Sequence, residues 1–281
     1  MLTVAQALEV QREAARHKAD GLRSPARFAV SGMLAGAYLG IGVILMVSTA
    51  GPLTAAGSGA GKLVSGLVFS AALTLVVFAG GELVTSSMMT LTQGVLMRSV
   101  TAGRAALALL VTFAANLAGA VVFSAVVAGA GLLHANPAAA MLGDMLGAKA
   151  GELPHELFLR GILCNVLVCL AIWMCARLTS DGPKIAVIAF AILAFVASGY
   201  EHVVANMTTY ALGLMTGIDH ATWSGFGTNM LWVGLGNLVG GAVVVGLGYW
   251  FVGGSPRRRT PSAERLDEQP VISAGGSPSA H

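Results

Sequence analysis

The sequence predicts an all-α polytopic membrane protein with six transmembrane helices, arranged as two inverted three-helix repeats. Three observations carry this reading. Of 281 residues 56% are hydrophobic and only 10% charged, against about 25% charged in an ordinary soluble domain. A window of about 19 residues finds six apolar runs. One asparagine-glycine pattern occurs in both halves of the chain. The composition excludes a soluble enzyme. A net charge of +3, from 16 basic and 13 acidic residues, leaves no basic surface for nucleic acid. The 37 glycines follow no three-residue period, which excludes a collagen-like chain.

Residues 1–25 precede the first run. Val4, Ala7 and Leu8 stand at helical spacing beside Glu9, Arg12 and Glu13, which predicts a short amphipathic helix lying at the cytoplasmic membrane interface. Residues 26–252 hold the spans: Phe28 to Thr49, Leu63 to Gly81, Ala105 to Leu133, Leu157 to Ala176, Ile185 to Tyr200 and Met230 to Val252. Gly51 to Gly61 is read as an outer loop, and residues 134–156 as an outer connection. The second run passes through Gly80-Gly81-Glu82 into Thr85-Ser86-Ser87 and resumes at Met88; the fifth stops at Ser198 to His202 and resumes at Val203. Both are predicted to be helices broken inside the membrane. Residues 253–281, with Arg257-Arg258-Arg259, are too polar to bury a core and are read as a disordered cytoplasmic tail.

Basic residues set the expected orientation. Five precede the first span, two lie between the second and third, two between the fourth and fifth, and four follow the sixth; only Lys62, Lys149 and Arg160 are left for the other face. The positive-inside rule then places both termini in the cytoplasm of an inner-membrane protein.

Asn116-Leu117-Ala118-Gly119 in the third span is echoed by Asn237-Leu238-Val239-Gly240 in the sixth, and each echo follows a Gly- and Glu-containing break. Because three is odd, a second three-span copy enters from the opposite side. In that plan broken helices build a site near the midplane.

Glu82 and Glu201 are acidic residues deep in apolar segments, where a bare charge costs several kcal/mol. They belong either to a coupling-ion or substrate site or to helix ends. The second is adopted here: each precedes a resuming half-helix whose orphan N–H groups a carboxylate can cap. His202 lies within a span in a chain poor in titratable groups, which favours a pore role over packing. Thr85 and its serine neighbours can cap the half-helix or line the pore. Asn165, Asn206, Asn116 and Asn237 suit backbone groups freed by the breaks. Cys164, Cys169 and Cys175 match neither a disulfide framework nor a zinc pattern. No metal, cofactor or enzymatic constellation is expected.

Four stretches resemble the formate/nitrite transporter family: Gly81-Glu82-Leu83-Val84-Thr85-Ser86, the run Gly161 to Trp173 with Asn165, Ser198-Gly199-Tyr200-Glu201-His202 continuing to Met207, and Gly236-Asn237-Leu238-Val239-Gly240-Gly241. The resemblance spans roughly residues 5 to 252. It implies an aquaporin-like fold, a homopentamer with one pore per protomer, and passage of small monovalent anions through the bilayer. It further implies an outer hydrophobic constriction of Phe69, Leu73 and Phe195, and an inner one of Leu83 and Val168 beside a mobile loop around Thr85. His202 would line the chamber between them, near Asn165 and Thr85, with Lys149 in the outer vestibule. Val84 stands where the family usually has Phe, and Arg160 where an apolar residue is usual.

An anion entering a dry constriction must lose water, so a pore supplies donors or lets the ion cross as its neutral acid. Attraction by Lys149, then hydrogen bonding to or proton exchange with His202, serves either route. The expected function is a channel for small monovalent anions, nitrite ahead of formate. A proton-coupled carrier for formate, hydrosulfide or lactate is the alternative, and an aquaporin-type solute pore would need paired Asn-Pro-Ala elements.

Overall fold

A computed structural model of the chain describes residues 1–134 and 136–254; the expected tail lies, from residue 255 onward, outside the described residues. The described residues are helical nearly throughout. In order they form α1 (Val4–Gly21), α2 (Pro25–Ala55), α3 (Gly61–Ala79), α4 (Val84–Leu96), α5 (Ala102–Gly129), α6 (Asn136–Gly151), α7 (Pro154–Arg177), α8 (Asp181–Ala197), α9 (Val203–Thr216), α10 (Trp223–Leu238), a π-helical stretch (Val239–Leu247) and α11 (Gly248–Gly253).

Five segments are long and apolar enough to cross a membrane: α2, α3, α5, α7 and the continuous rod from Trp223 to Gly253. α8 has 17 residues, which at ~1.5 Å per residue reaches ~25 Å. Their outward faces are apolar, with Leu110, Val126, Phe190 and Phe251 each more than half exposed. Such a surface is stable only against hydrocarbon or another protein.

α2 packs on α3 and α5, and α7 packs on α8 and α10. The pair α3 and α8 joins the two sets. α4 lies against the π-helical stretch, and α9 against α5, so each short helix rests on a long helix from the other end of the chain. Close approach at two crossings depends on the absence of a side chain. A Cβ on Gly119 would stand 1.9 Å from the Met33 carbonyl oxygen, and one on Gly236 2.1 Å from that of Phe158.

Three local expectations are corrected. α2 continues through Pro52 to Ala55, so the expected 51–61 loop is helical in its first half. The connection after residue 134 contains α6, whose Leu142 and Leu146, one turn apart, are fully buried. α1, expected as a short helix, runs 18 residues from Val4 to Gly21 and buries Ala7, Leu8, Gln11, Ala15 and Ala19 against protein, and Thr90 Oγ1 donates to Gln11 Oε1 at 2.8 Å. Thr3 opens α1 with a capping box to Gln6. Leu2 N donates to the Arg177 carbonyl, and α11 touches α1. The start and end of the described chain therefore share one face, and α6 lies on the other.

Candidate functional site

The site is built from two short connections. α3 ends in Gly80 at φ 84°, a left-handed conformation that glycine adopts without strain, and α4 starts at Val84. α8 ends before Gly199 at φ 73°, and α9 starts at Val203. In each, one amide side chain from a distant helix collects three backbone groups. Asn116 Nδ2 donates to the carbonyls of Gly32 and Glu82, both at 2.8 Å, while Oδ1 accepts from Val84 N at 2.9 Å. Asn237 Nδ2 donates to the carbonyls of Gly161 at 2.8 Å and Glu201 at 3.0 Å, while Oδ1 accepts from Val203 N at 2.9 Å. The two sets match atom for atom.

The carboxylates do other work than capping. Lys18 Nζ donates to Glu82 Oε2 at 2.5 Å. Lys149 Nζ donates to both oxygens of Glu201, at 2.5 and 2.6 Å, and Asn206 Nδ2 adds a bond to Oε2 at 2.6 Å. Among the described residues no backbone N–H donates to either carboxylate. The physical reason is that each break exposes carbonyls as well as an N–H group. A neutral amide both donates and accepts, whereas a carboxylate only accepts and needs a cation where water is scarce.

His202 is itself the N-cap of α9: its Nδ1 accepts from Ala205 N at 3.2 Å. That bond uses the Nδ1 lone pair, so the ring proton sits on Nε2, which donates to Thr85 Oγ1 at 3.0 Å. Thr85 lies in the first turn of α4, and its carbonyl accepts from Asn165 Nδ2 at 3.1 Å. Asn165 Nδ2 also donates to the Asn237 carbonyl at 2.6 Å, just before the backbone widens into the π-helical stretch at Val239. Histidine, threonine and asparagine thus couple the starts of both short helices.

Two cavities adjoin this network. A vestibule of about 270 Å³ on the α6 face is lined by Lys62, Lys149, Glu152, Arg160, Glu201 and Asn206, and ends at Phe69, Phe195 and His202. Beyond lies a cavity of about 10 Å³, enclosed by Leu39, Phe69, Leu73, Leu83, Val168, Ile192, Phe195 and His202, room for about one water. Phe69 and Phe195 meet edge to face with ring centres 5.9 Å apart, and Phe195 stacks on His202 at 6.1 Å. All five residues expected at the two constrictions therefore meet around one small cavity with His202. Lys149 reaches the vestibule. Thr85 and Asn165 stand behind His202 and line neither cavity.

Sequence reasoning missed Lys18, Glu152 and Asn229, the last accepting from Asn206 Nδ2 at 2.8 Å. A signal for Lys18 existed: it precedes Gly32 by 14 residues much as Lys149 precedes Gly161 by 12. Glu152, between α6 and α7, is bound by the Arg160 guanidinium. Burial, then the neighbouring Glu201 charge, pushes its carboxyl above the usual range, against Lys149 and Arg160, which pull it down. Among the described residues no group of three His, Cys, Asp or Glu side chains could hold a metal ion.

The family profile for formate/nitrite transporters matches residues 5–251. The chain belongs to that family. Among its relatives, the nitrite transporter NirC of Escherichia coli (strain K12) is 40% identical over 256 residues, covering 91% of this chain and 93% of NirC. A solved structure described as an ion channel of the FNT family superposes with a TM-score of 0.82 at 38% identity, covering 88% of this chain and 98% of the other. A pentameric formate channel with formate bound superposes at 0.69 and 27% identity, covering 82% and 98%. This member of the family is therefore a multi-pass membrane protein, and the family consists of transporters rather than enzymes.

Proposed function

We propose that the protein is a channel for small monovalent anions, nitrite ahead of formate, with one pore in each protomer of a homopentamer in the inner membrane. The observation that carries this reading is the Phe69–Phe195 pair, which separates a cation-lined vestibule from a one-water cavity bearing the His202 ring. The relative named a nitrite transporter supports the substrate order, and the solved pentameric channel supports the assembly. α3 with α4, and α8 with α9, act as the second and fifth of six crossings, each interrupted where Asn116 or Asn237 ties down the break. The matched asparagine sets support two inverted, aquaporin-like repeats. The excess of basic residues supports α1 and both termini on the cytoplasmic side, with α6 outside and the tail from residue 253 in the cytoplasm.

In this reading an anion is drawn into the vestibule by its net positive lining and sheds water at the ring of Phe69, Leu73 and Phe195. It meets the His202 ring in the small cavity, then leaves past Leu83 and Val168. Because His202 Nε2–H donates to Thr85 Oγ1, the threonine hydroxyl proton is not used in that bond, and a local rearrangement that brings Thr85 from behind His202 to the cavity would offer it to the ion. Protonating His202 at Nδ1 would break the cap on Ala205 N. That favours hydrogen-bond donation over proton exchange, and a channel over a proton-coupled carrier. Asn165 holds Thr85, and Glu82 and Glu201 anchor the lysines.

Flux into liposomes carrying the purified protein, compared across nitrite, formate, chloride, hydrosulfide and lactate, tests the reading. Nitrite flux exceeding formate flux is expected. Liposomes no more permeable than protein-free ones would overturn it.

A further inference from the structure

Two of the three vestibule cations, Lys149 and Arg160, are paired differently. Lys149 is buried and holds both oxygens of Glu201, so its charge is matched. Arg160 is 41% exposed at its side chain, lines the same cavity, and holds only Oε1 of Glu152. The Glu152 side chain is nine-tenths buried, and its second oxygen, Oε2, is buried with no hydrogen-bond partner among the described residues. A buried carboxylate oxygen without a donor, on a residue that lines the cavity, is a natural place for a proton.

We infer that Arg160 is an anion-capturing residue at the pore entrance and that Glu152 positions it and sets how much of its charge an arriving anion meets. The inference rests on the anion-channel reading above. Charged and titratable groups near Glu152 are Arg160 and Glu156 on α7, Lys149 at the end of α6, Glu201 between α8 and α9, and Tyr210 on α9, with Lys62 across the vestibule on α3. Three cations against two carboxylates leave the cavity lining with one net positive charge. A proton on Oε2 neutralises Glu152, and the lining gains a second. The burial and the Glu201 charge that raise the Glu152 carboxyl place this change above the ordinary carboxylate range. Capture then strengthens as the pH on the α6 side falls through the raised range of the Glu152 carboxyl, and Arg160 keeps its charge throughout.

The test uses full-length protein in liposomes, with nitrite or formate flux measured at varied anion concentration, varied salt and varied pH on the α6 side. E152Q mimics the protonated acid at the same size. It should lower KM roughly three- to tenfold at neutral pH and remove most of the dependence of KM on α6-side pH. R160M should raise KM by a similar factor and flatten its dependence on salt, because a steering charge is screened. R160K should restore both. Elution as an intact assembly on size exclusion checks folding of each variant. Wild-type KM, salt slope and pH profile in both E152Q and R160M would overturn the inference while leaving the anion channel standing. A wild-type protein that carries no anion would remove both.

Discussion

Replacing Asn237 with alanine should unmake the α9 anchor. The side chain serves three backbone groups at 2.8 to 3.0 Å, and it is fully buried. Alanine leaves two carbonyls and one N–H without these partners. Each unpaired buried group costs about 1–3 kcal/mol, so the loss is about 3–9 kcal/mol, and hydrocarbon gives water little chance to compensate. Against a stability of about 5–15 kcal/mol, that is a large share. With roughly 2–4 °C of Tm per kcal/mol in a chain of this size, the fall should be roughly 6 °C or more. The assay is thermal unfolding of the detergent-purified protein, followed by loss of the intact assembly on size exclusion. N116A should match N237A closely, because Asn116 serves three equivalent groups at 2.8 to 2.9 Å. Variants that both melt within about 2 °C of the wild type would refute the anchoring argument. A large difference between them would refute the equivalence of the two connections.

Shortening Phe69 or Phe195 to alanine opens the edge-to-face pair, and anion flux in liposomes should rise or discriminate less between nitrite and chloride; unchanged flux and selectivity in both would show that the ring does not limit passage. H202N keeps a side-chain acceptor for Ala205 N but loses the Nε2–H donor, so assembly should survive while flux falls roughly tenfold; H202L loses both and should also cost the stability typical of a lost cap, about 1 kcal/mol, read as a fall in Tm of roughly 2–4 °C. Breaking the Lys149–Glu201 pair on either side should cost about 3–5 kcal/mol. A double change of K149M with E201M should cost less than the sum of the single changes, as thermal unfolding of all four proteins will read. Additive losses would mean that the pair is not coupled.

The long helices were legible because hydrocarbon dictates both their length and their composition, so Leu110 or Phe190 announces its surroundings without knowledge of the fold. The positions of the connections were legible for a related reason, since Gly80, Gly199 and a nearby carboxylate conflict with an uninterrupted apolar helix. How each connection is held was not. Proximity in sequence suggested Glu82 and Glu201 as caps, but the partners came from 32 and 34 residues away, in Asn116 and Asn237. A window along the chain sees a neighbour in sequence and misses a neighbour across a helix crossing. Lys18 meets Glu82 over a separation of 64 residues, and its mark in the sequence is its spacing before Gly32, which resembles that of Lys149 before Gly161. α6 escaped notice because Leu142 and Leu146 are set among alanine and glycine, which dilutes the apolar signal of a helix that is nonetheless buried along one edge.

Lys18 gives the N-terminal helix an importance that its exposed, charged composition conceals. A chain shortened by its first twenty residues would retain all of its spans and much of its apolar core. It would also leave the partly buried Glu82 carboxylate without its lysine and Thr90 without its glutamine. Such a shortened protein should still be delivered to the membrane, since its greasy helices survive. Its weakness would be local: α4 would keep its ties to Asn116, Asn165, His202 and the π-helical stretch but lose those to α1. Proteolytic trimming at this end would thus loosen α4 while leaving the spans in place.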